Sequence, residues 1–222
     1  MQGLFILVFL AIAITIGVIA WRQEQKRRDA LLAWAHRKGW RLDSSGRKDR
    51  HKTWPGLKLF DRGHSRSSKN VVTGTIEGLD VACIDFQYVT GTGKNRQTHR
   101  RGVVILDCGF PTIPLQIRRE HAFDKVGEFL GKDDIDFESA EFSRRFYVTS
   151  SDRKWAYDII HGRTMEYLLG APDFGIEFGF HEIAVYRNGF NQPPQHEQAL
   201  DVALALYRLI PDYVIRQMKG VK

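Results

Sequence analysis

The chain has very few of the residues that announce a chemistry. Among its 222 residues only Cys83 and Cys108 are cysteine, far apart and without a CxxC pair. That excludes a disulfide scaffold and a cysteine-built zinc site, and predicts two reduced, packed thiols. No Gly-x-Ser-x-Gly elbow and no His-Glu-x-x-His helix is present, so neither the common serine hydrolases nor the zincins are represented. The acidic run Asp133, Asp134, Asp136 and Glu138 lacks the order and the distal glutamate of an EF-hand. No internal repeat and no cofactor fingerprint is found, and no cofactor is expected.

The stretch Tyr88–Gly102 (YVTGTGKNRQTHRRG) is the nearest approach to a phosphate loop. A P-loop needs a glycine five residues before its Gly-Lys pair and a Ser or Thr after it. Here those positions hold Tyr88 and Asn95, and a β-branched run follows instead of a helix. The reading is a long hairpin tip, with Gly91 and Gly93 supplying positive φ.

Charge is missing from one place above all. Residues 1–21 carry none, while residues 22–69 hold 15 Lys and Arg against 5 Asp and Glu. Gly3–Ala20 is 18 almost wholly apolar residues, and at about 1.5 Å per residue it spans roughly 27 Å, enough for a bilayer core. Trp21 stands where an interfacial aromatic belongs, and Arg22, Lys26, Arg27 and Arg28 follow at once. The positive-inside rule then places the N-terminus outside and the rest of the chain in the cytoplasm. A cleaved signal ending at Ala20 is the competing reading, but the basic residues lie on the wrong side of the apolar run for it.

Arg22–Lys38 continues as a helix, with Leu31, Trp34 and Ala35 on one face and Gly39 as its stop. Its cations Arg22, Lys26, Arg27 and Arg28 are expected to meet anionic headgroups. Nucleic acid is not an expected partner, because the basic cluster abuts a membrane and has no aromatic reading surface.

The organisation read from the chain is an anchor over 1–21, a basic juxtamembrane helix over 22–40, an irregular basic connector over 41–69, and a soluble domain over 70–222. In that domain strands are expected at Val71–Glu77, Val81–Thr90, Gly102–Cys108, Pro114–Arg118, Phe142–Thr149, Ile176–Phe180 and Glu182–Tyr186. Helices are expected at Ala122–Leu130, in two pieces around His161-Gly162, and over Gln195–Ile210 up to Pro211. The fold class is α+β, a curved antiparallel sheet with helices packed on one side.

The segment with Phe142-x-x-x-Phe146-x-Val148, Asp152, Ala156 and Thr164-Met165-Glu166 resembles uncharacterised bacterial single-pass membrane proteins of the actinobacterial type. The Gly39-Trp40 helix end, the Thr-Gly-Thr-Gly-Lys tip and Ile210-Pro211 fit the same family. The resemblance implies the fold and the membrane location, and carries no activity or site with it. The expected function is therefore a membrane-anchored binding or scaffold module with an unknown protein partner and anionic lipid contacts. An enzyme built around Asp158, His161 and His181 and an exported envelope domain are the alternatives.

Overall fold

Residues 2–43, 47–119 and 134–220 are described by a computed structural model. A single helix, α1 (Gln2–Arg37), includes the apolar span and the basic stretch without interruption. From Phe5 onward it is long and apolar enough to cross a membrane, and its apolar window is not covered by the rest of the protein. The second half of α1 is different: Leu31, Trp34 and Ala35 are fully buried in the main core. After Gly39 the chain enters a short strand, β1 (Arg41–Leu42).

The sheet continues through β2 (His64–Ile76), β3 (Leu79–Thr90), β4 (Gln97–Asp107), β5 (Leu115–Arg119), β6 (Phe146–Ser150), β7 (Gly175–Phe178) and β8 (Glu182–Asn188). Its order is β1-β2-β3-β4-β8-β7-β5-β6, every neighbouring pair antiparallel. The β2–β3 link is a two-residue turn, Glu77-Gly78, with φ of 53° and 81°, the pairing that matches strand twist. The β3–β4 link is the glycine-lysine tip, closed by a 3₁₀ turn at Gly93–Asn95. Gly91 needs its glycine, since a Cβ there would lie 2.3 Å from the Asn95 carbonyl oxygen.

One face of the sheet is packed by α1, α2 (Ala140–Arg145), α3 (Arg153–Ile159), α4 (Gly162–Gly170), α5 (Pro193–Leu209) and α6 (Asp212–Met218). The α+β class and the curved antiparallel sheet are as expected. The other face is covered only in part, by Leu57, Leu59 and Phe60 lying over Ala82, Ile84, Phe86, Val103 and Ile105. Both faces of β3 are therefore buried at its centre.

Two local expectations change. The stretch over 41–69 is not simply irregular: it contains β1, 3₁₀ turns at Arg50–Thr53 and Lys58–Asp61, and the start of β2 at His64. The start of that strand, over residues 64–69, reads as polar because β1 pairs only farther along, at Val72 and Thr73, and every residue there but Ser68 is wholly or partly exposed. Phe142 lies in α2 rather than in a strand. The Ser139 hydroxyl accepts the Phe142 N–H at 3.2 Å, and Arg144 and Arg145 close the last turn. The helix expected over Ala122–Leu130 lies outside the described residues.

Gly74 makes room for the end of α1. A Cβ there would fall 2.1 Å from the Trp40 ring, which is fixed by its Nε1–H to the Thr75 carbonyl at 3.0 Å. Gly74→Ala should therefore destabilise the fold by about 1–3 kcal/mol through overpacking. The check is urea unfolding of G74A and of G74A/W40L, the second of which should recover part of the loss.

Candidate functional site at the anchored end of the sheet

The residues of α1 nearest the span meet the sheet at one point. Arg27 is 7% exposed and Asp85, in the middle of β3, is 1% exposed. A guanidinium has five N–H bonds, and here each has an acceptor. Nε donates to Glu24 at 3.1 Å, and Nη1 to Asp85 Oδ1 at 3.3 Å and to the Asn191 carbonyl at 3.1 Å. Nη2 donates to Glu24 at 2.9 Å and to Asp85 Oδ2 at 2.5 Å. Asn70, held at φ 48° by the irregularity in β2, donates to Asp85 at 2.8 Å. Lys69 donates to Glu24 at 2.9 Å.

Burial disfavours the charge on Arg27, but Glu24 and Asp85 outweigh it and hold the guanidinium protonated. Burial likewise raises the Asp85 carboxyl, opposed by Arg27 and Asn70. Glu24 is drawn down to about 2, chiefly by its hydrogen bond to Arg27. The half-buried Phe190 ring lies under three cations, with Arg27 Cζ at 5.2 Å, Lys69 Nζ at 4.7 Å and Arg100 Cζ at 5.6 Å from its centroid.

Of the four cations expected at the membrane surface, Arg22, Lys26 and Arg28 are exposed. Arg27 is not, and its donors are spent inside the protein, so it has none left for a headgroup. The reason is Asp85, whose buried carboxylate requires a charged partner.

Beneath this lock, His196 is 2% exposed and stacked on Trp34 with centroids 5.3 Å apart. Burial, with Arg27 nearby, pushes its pKa from 6.5 down to about 3. The unfolded chain therefore takes up a proton that the folded chain refuses between those two values. Stability should be complete above pH 6.5 and fall as pH drops towards 3, with a slope approaching about 1.4 kcal/mol per pH unit from this residue. Denaturant unfolding of the protein and of His196→Phe between pH 6.5 and 4.5 checks this, since the variant should lose most of one proton from the slope.

The three candidate catalytic residues do not converge. Asp158 pairs with Lys154 at 2.5 Å and accepts the Tyr213 hydroxyl at 2.8 Å. The His161 Nε2 lies 2.9 Å from the Leu209 carbonyl, tying α4 to the end of α5. Asp158 and His161 share a shallow groove of about 500 Å³ that His181 does not line. His181 is exposed in the β7–β8 turn, where its carbonyl accepts the Cys108 N–H at 2.8 Å. Among the described residues no group of His, Cys, Asp and Glu has metal-holding geometry. Cys83 and Cys108 are free and buried, and burial pushes both thiols up, away from thiolate reactivity.

Direction along the fold can be read from the contacts. Along α1 and just past its end, the order Glu24, Arg27, Trp40 matches Lys69, Asp85 and Thr75 on β2 and β3, and Thr75 faces Asp80. β3 thus runs back towards the span, and its hairpin tip projects that way. Arg27 to Trp21 is about 9 Å of helix, while Asp85 to Gly91 is about 20 Å of strand, so the tip reaches the level of Trp21 at any crossing angle up to about 60°.

The fold has a solved counterpart. In fold, the chain is similar to TtfA. That crystal structure, of the mycobacterial trehalose monomycolate transport factor A, matches with a TM-score of 0.60 and 18% identity, over 83% of this chain and 96% of TtfA. At that identity the likeness to TtfA is one of fold. Neither a family model nor a curated protein matches the chain.

The lock residues Asp85, Asn191 and His196 had one legible signal. Asp85 is the one charged residue in the strand Val81–Val89, and a carboxylate there has to be answered by a cation. Asn191 and His196 had none.

Proposed function

We propose that the protein is a single-pass membrane-anchored binding or scaffold module without catalysis, with its domain on the cytoplasmic side, serving the movement of an envelope lipid. The observation that carries it is α1, one helix that is long and apolar enough to span a membrane at one end and buried in the domain core at the other. The fold shared with a trehalose monomycolate transport factor supports the lipid-transport part, and Arg22, Lys26 and Arg28 are the proposed contacts with anionic headgroups. The cytoplasmic orientation rests on the positive charge that follows the span.

Orientation is tested with Thr92→Cys at the exposed hairpin tip, labelled by a membrane-impermeant thiol reagent in intact and in lysed cells. The buried Cys83 and Cys108 stay silent in the folded chain. Labelling only after lysis supports the cytoplasmic domain, and labelling of intact cells overturns it. The transport role is tested by deleting the chain in its bacterium and following pulse-labelled envelope glycolipids. Precursor held back at the inner membrane supports the role, and unchanged delivery overturns it.

A further inference from the structure

The hairpin joining β3 to β4 outruns the sheet. Its last paired residues are Thr90 and Gln97, so residues 91–96 stand clear of it. They include Lys94 and Arg96, both exposed, and among the described residues neither has an ion-pair partner. From residue 86 to residue 106 the chain has no Asp or Glu. Asp61, on the segment packed against the base of the hairpin, is taken by Arg66 at 3.3 Å. Arg100 and Arg101 lie over the rings of Phe190 and Tyr88. The charge left over at the tip is that of Lys94 and Arg96.

The tip is also held in shape. A 3₁₀ turn closes it over Gly93–Asn95. The His64 Nε2 lies 3.0 Å from the Gly91 carbonyl oxygen, and the Thr90 hydroxyl lies 2.7 Å from the Nε2 of His99, whose ring stacks on Tyr88 at 4.8 Å. A backbone already ordered adds little entropy cost when the tip meets a surface. Its direction is fixed by both ends of α5. The start of α5 lies by the lock, where His196 stacks on Trp34 and the Asn191 carbonyl accepts from Arg27. The end of α5 lies where Arg208 pairs with Glu77 in the β2–β3 turn. That turn is the far end of β3, and the tip is the end on the side of the span.

We propose that Lys94 and Arg96 form a second attachment to the membrane, binding anionic lipid headgroups of the leaflet from which α1 emerges. The proposal rests on the membrane-anchored reading above, which puts a lipid surface at the level of Trp21. Each cation at an anionic surface is worth about fivefold in binding, so the pair should favour the docked tip about 25-fold. The span keeps the tip within reach of that surface, so this modest gain acts at a high effective concentration.

The test uses the full chain in nanodiscs, with a fluorophore on Thr92→Cys and a nitroxide quencher on the lipid headgroups. Cys83 and Cys108 are buried and stay unlabelled. Discs containing phosphatidylglycerol should quench the tip fluorophore, discs of phosphatidylcholine should quench it much less, and raised salt should reverse the quenching. Lys94→Gln/Arg96→Gln should lower the docked-to-free ratio about 25-fold at an unchanged melting temperature. Lys94→Arg/Arg96→Lys should keep the ratio, and Arg163→Gln, beside Leu209 at the far end of α5, should match the unaltered chain. Equal quenching in the glutamine pair, or in the two kinds of disc, overturns the contact. So does an unquenched tip in anionic discs, which would leave an acidic protein surface as the occupant. A fluorophore on the exposed Gln23→Cys separates the two readings. Quenched in both kinds of disc, it shows the span inserted, and an unquenched tip then overturns the proposal alone. Unquenched, it overturns the anchored reading and the proposal with it.

Discussion

A chain that starts at Trp40 will not fold, while one that starts at Arg22 will. The reason is that the stretch after the span is not a tether. Leu31 is 1% exposed, Trp34 3% and Ala35 1%, all within the core cluster that includes Val104, Leu106, Ala199 and Ala203. Trp34 also donates to Glu197 on α5 at 2.6 Å, and Lys38 pairs with the same carboxylate at 2.9 Å. Losing a buried Leu costs about 2–5 kcal/mol and a buried Trp about 3–5 kcal/mol. Together they match most of a domain's total stability of about 5–15 kcal/mol. The check is circular dichroism with urea unfolding of both chains. A cooperative transition at an unchanged midpoint in the shorter chain would show that α1 is dispensable to the fold.

Arg27→Ala should cost about 3–5 kcal/mol, because it leaves the Asp85 carboxylate buried without a cation. For a protein of this length that is a fall in melting temperature of about 6–20 °C. Arg27→Lys should recover only part of it, since three ammonium donors cannot serve the acceptors that five guanidinium N–H groups serve. The sharper measurement is Arg27→Met with Asp85→Leu. If the damage in the single variant comes from an orphaned charge, the double variant should be more stable than Arg27→Ala. If both variants melt together, the lock contributes through packing and not through charge.

The anchor, the hairpin tip and the α5 helix were legible because each is written in a local pattern: an uncharged apolar run, glycines between β-branched stretches, and apolar residues at helical spacing. The break at His161-Gly162 between α3 and α4 was legible in the same way. What was not legible is whatever depends on distance in the fold. Arg27 reads as one more cation beside a membrane, since its partner stands 58 positions later in the chain. Lys94 and Arg96 read as solvated charges on a hairpin tip, and nothing local tells that the tip returns to the level of Trp21. Phe142 reads as strand because its spacing to Phe146 and Val148 fits a strand face. Its distance of four residues from Phe146 fits a helix turn equally, and Ser139 decides between them by capping.

The 36-residue α1 carries one further consequence. Between Trp21 and Lys38 the chain contains neither glycine nor proline, and Arg27 clamps the helix to β3 while Trp34 ties it to α5. Sheet and span therefore move as a single lever. A helix answers a thinner or thicker bilayer chiefly by changing its tilt, and a domain fused rigidly to it must swing through the same angle. The hairpin tip would be pressed into the lipid surface or lifted from it as local thickness changes, so membrane thickness becomes a mechanical input to the folded domain.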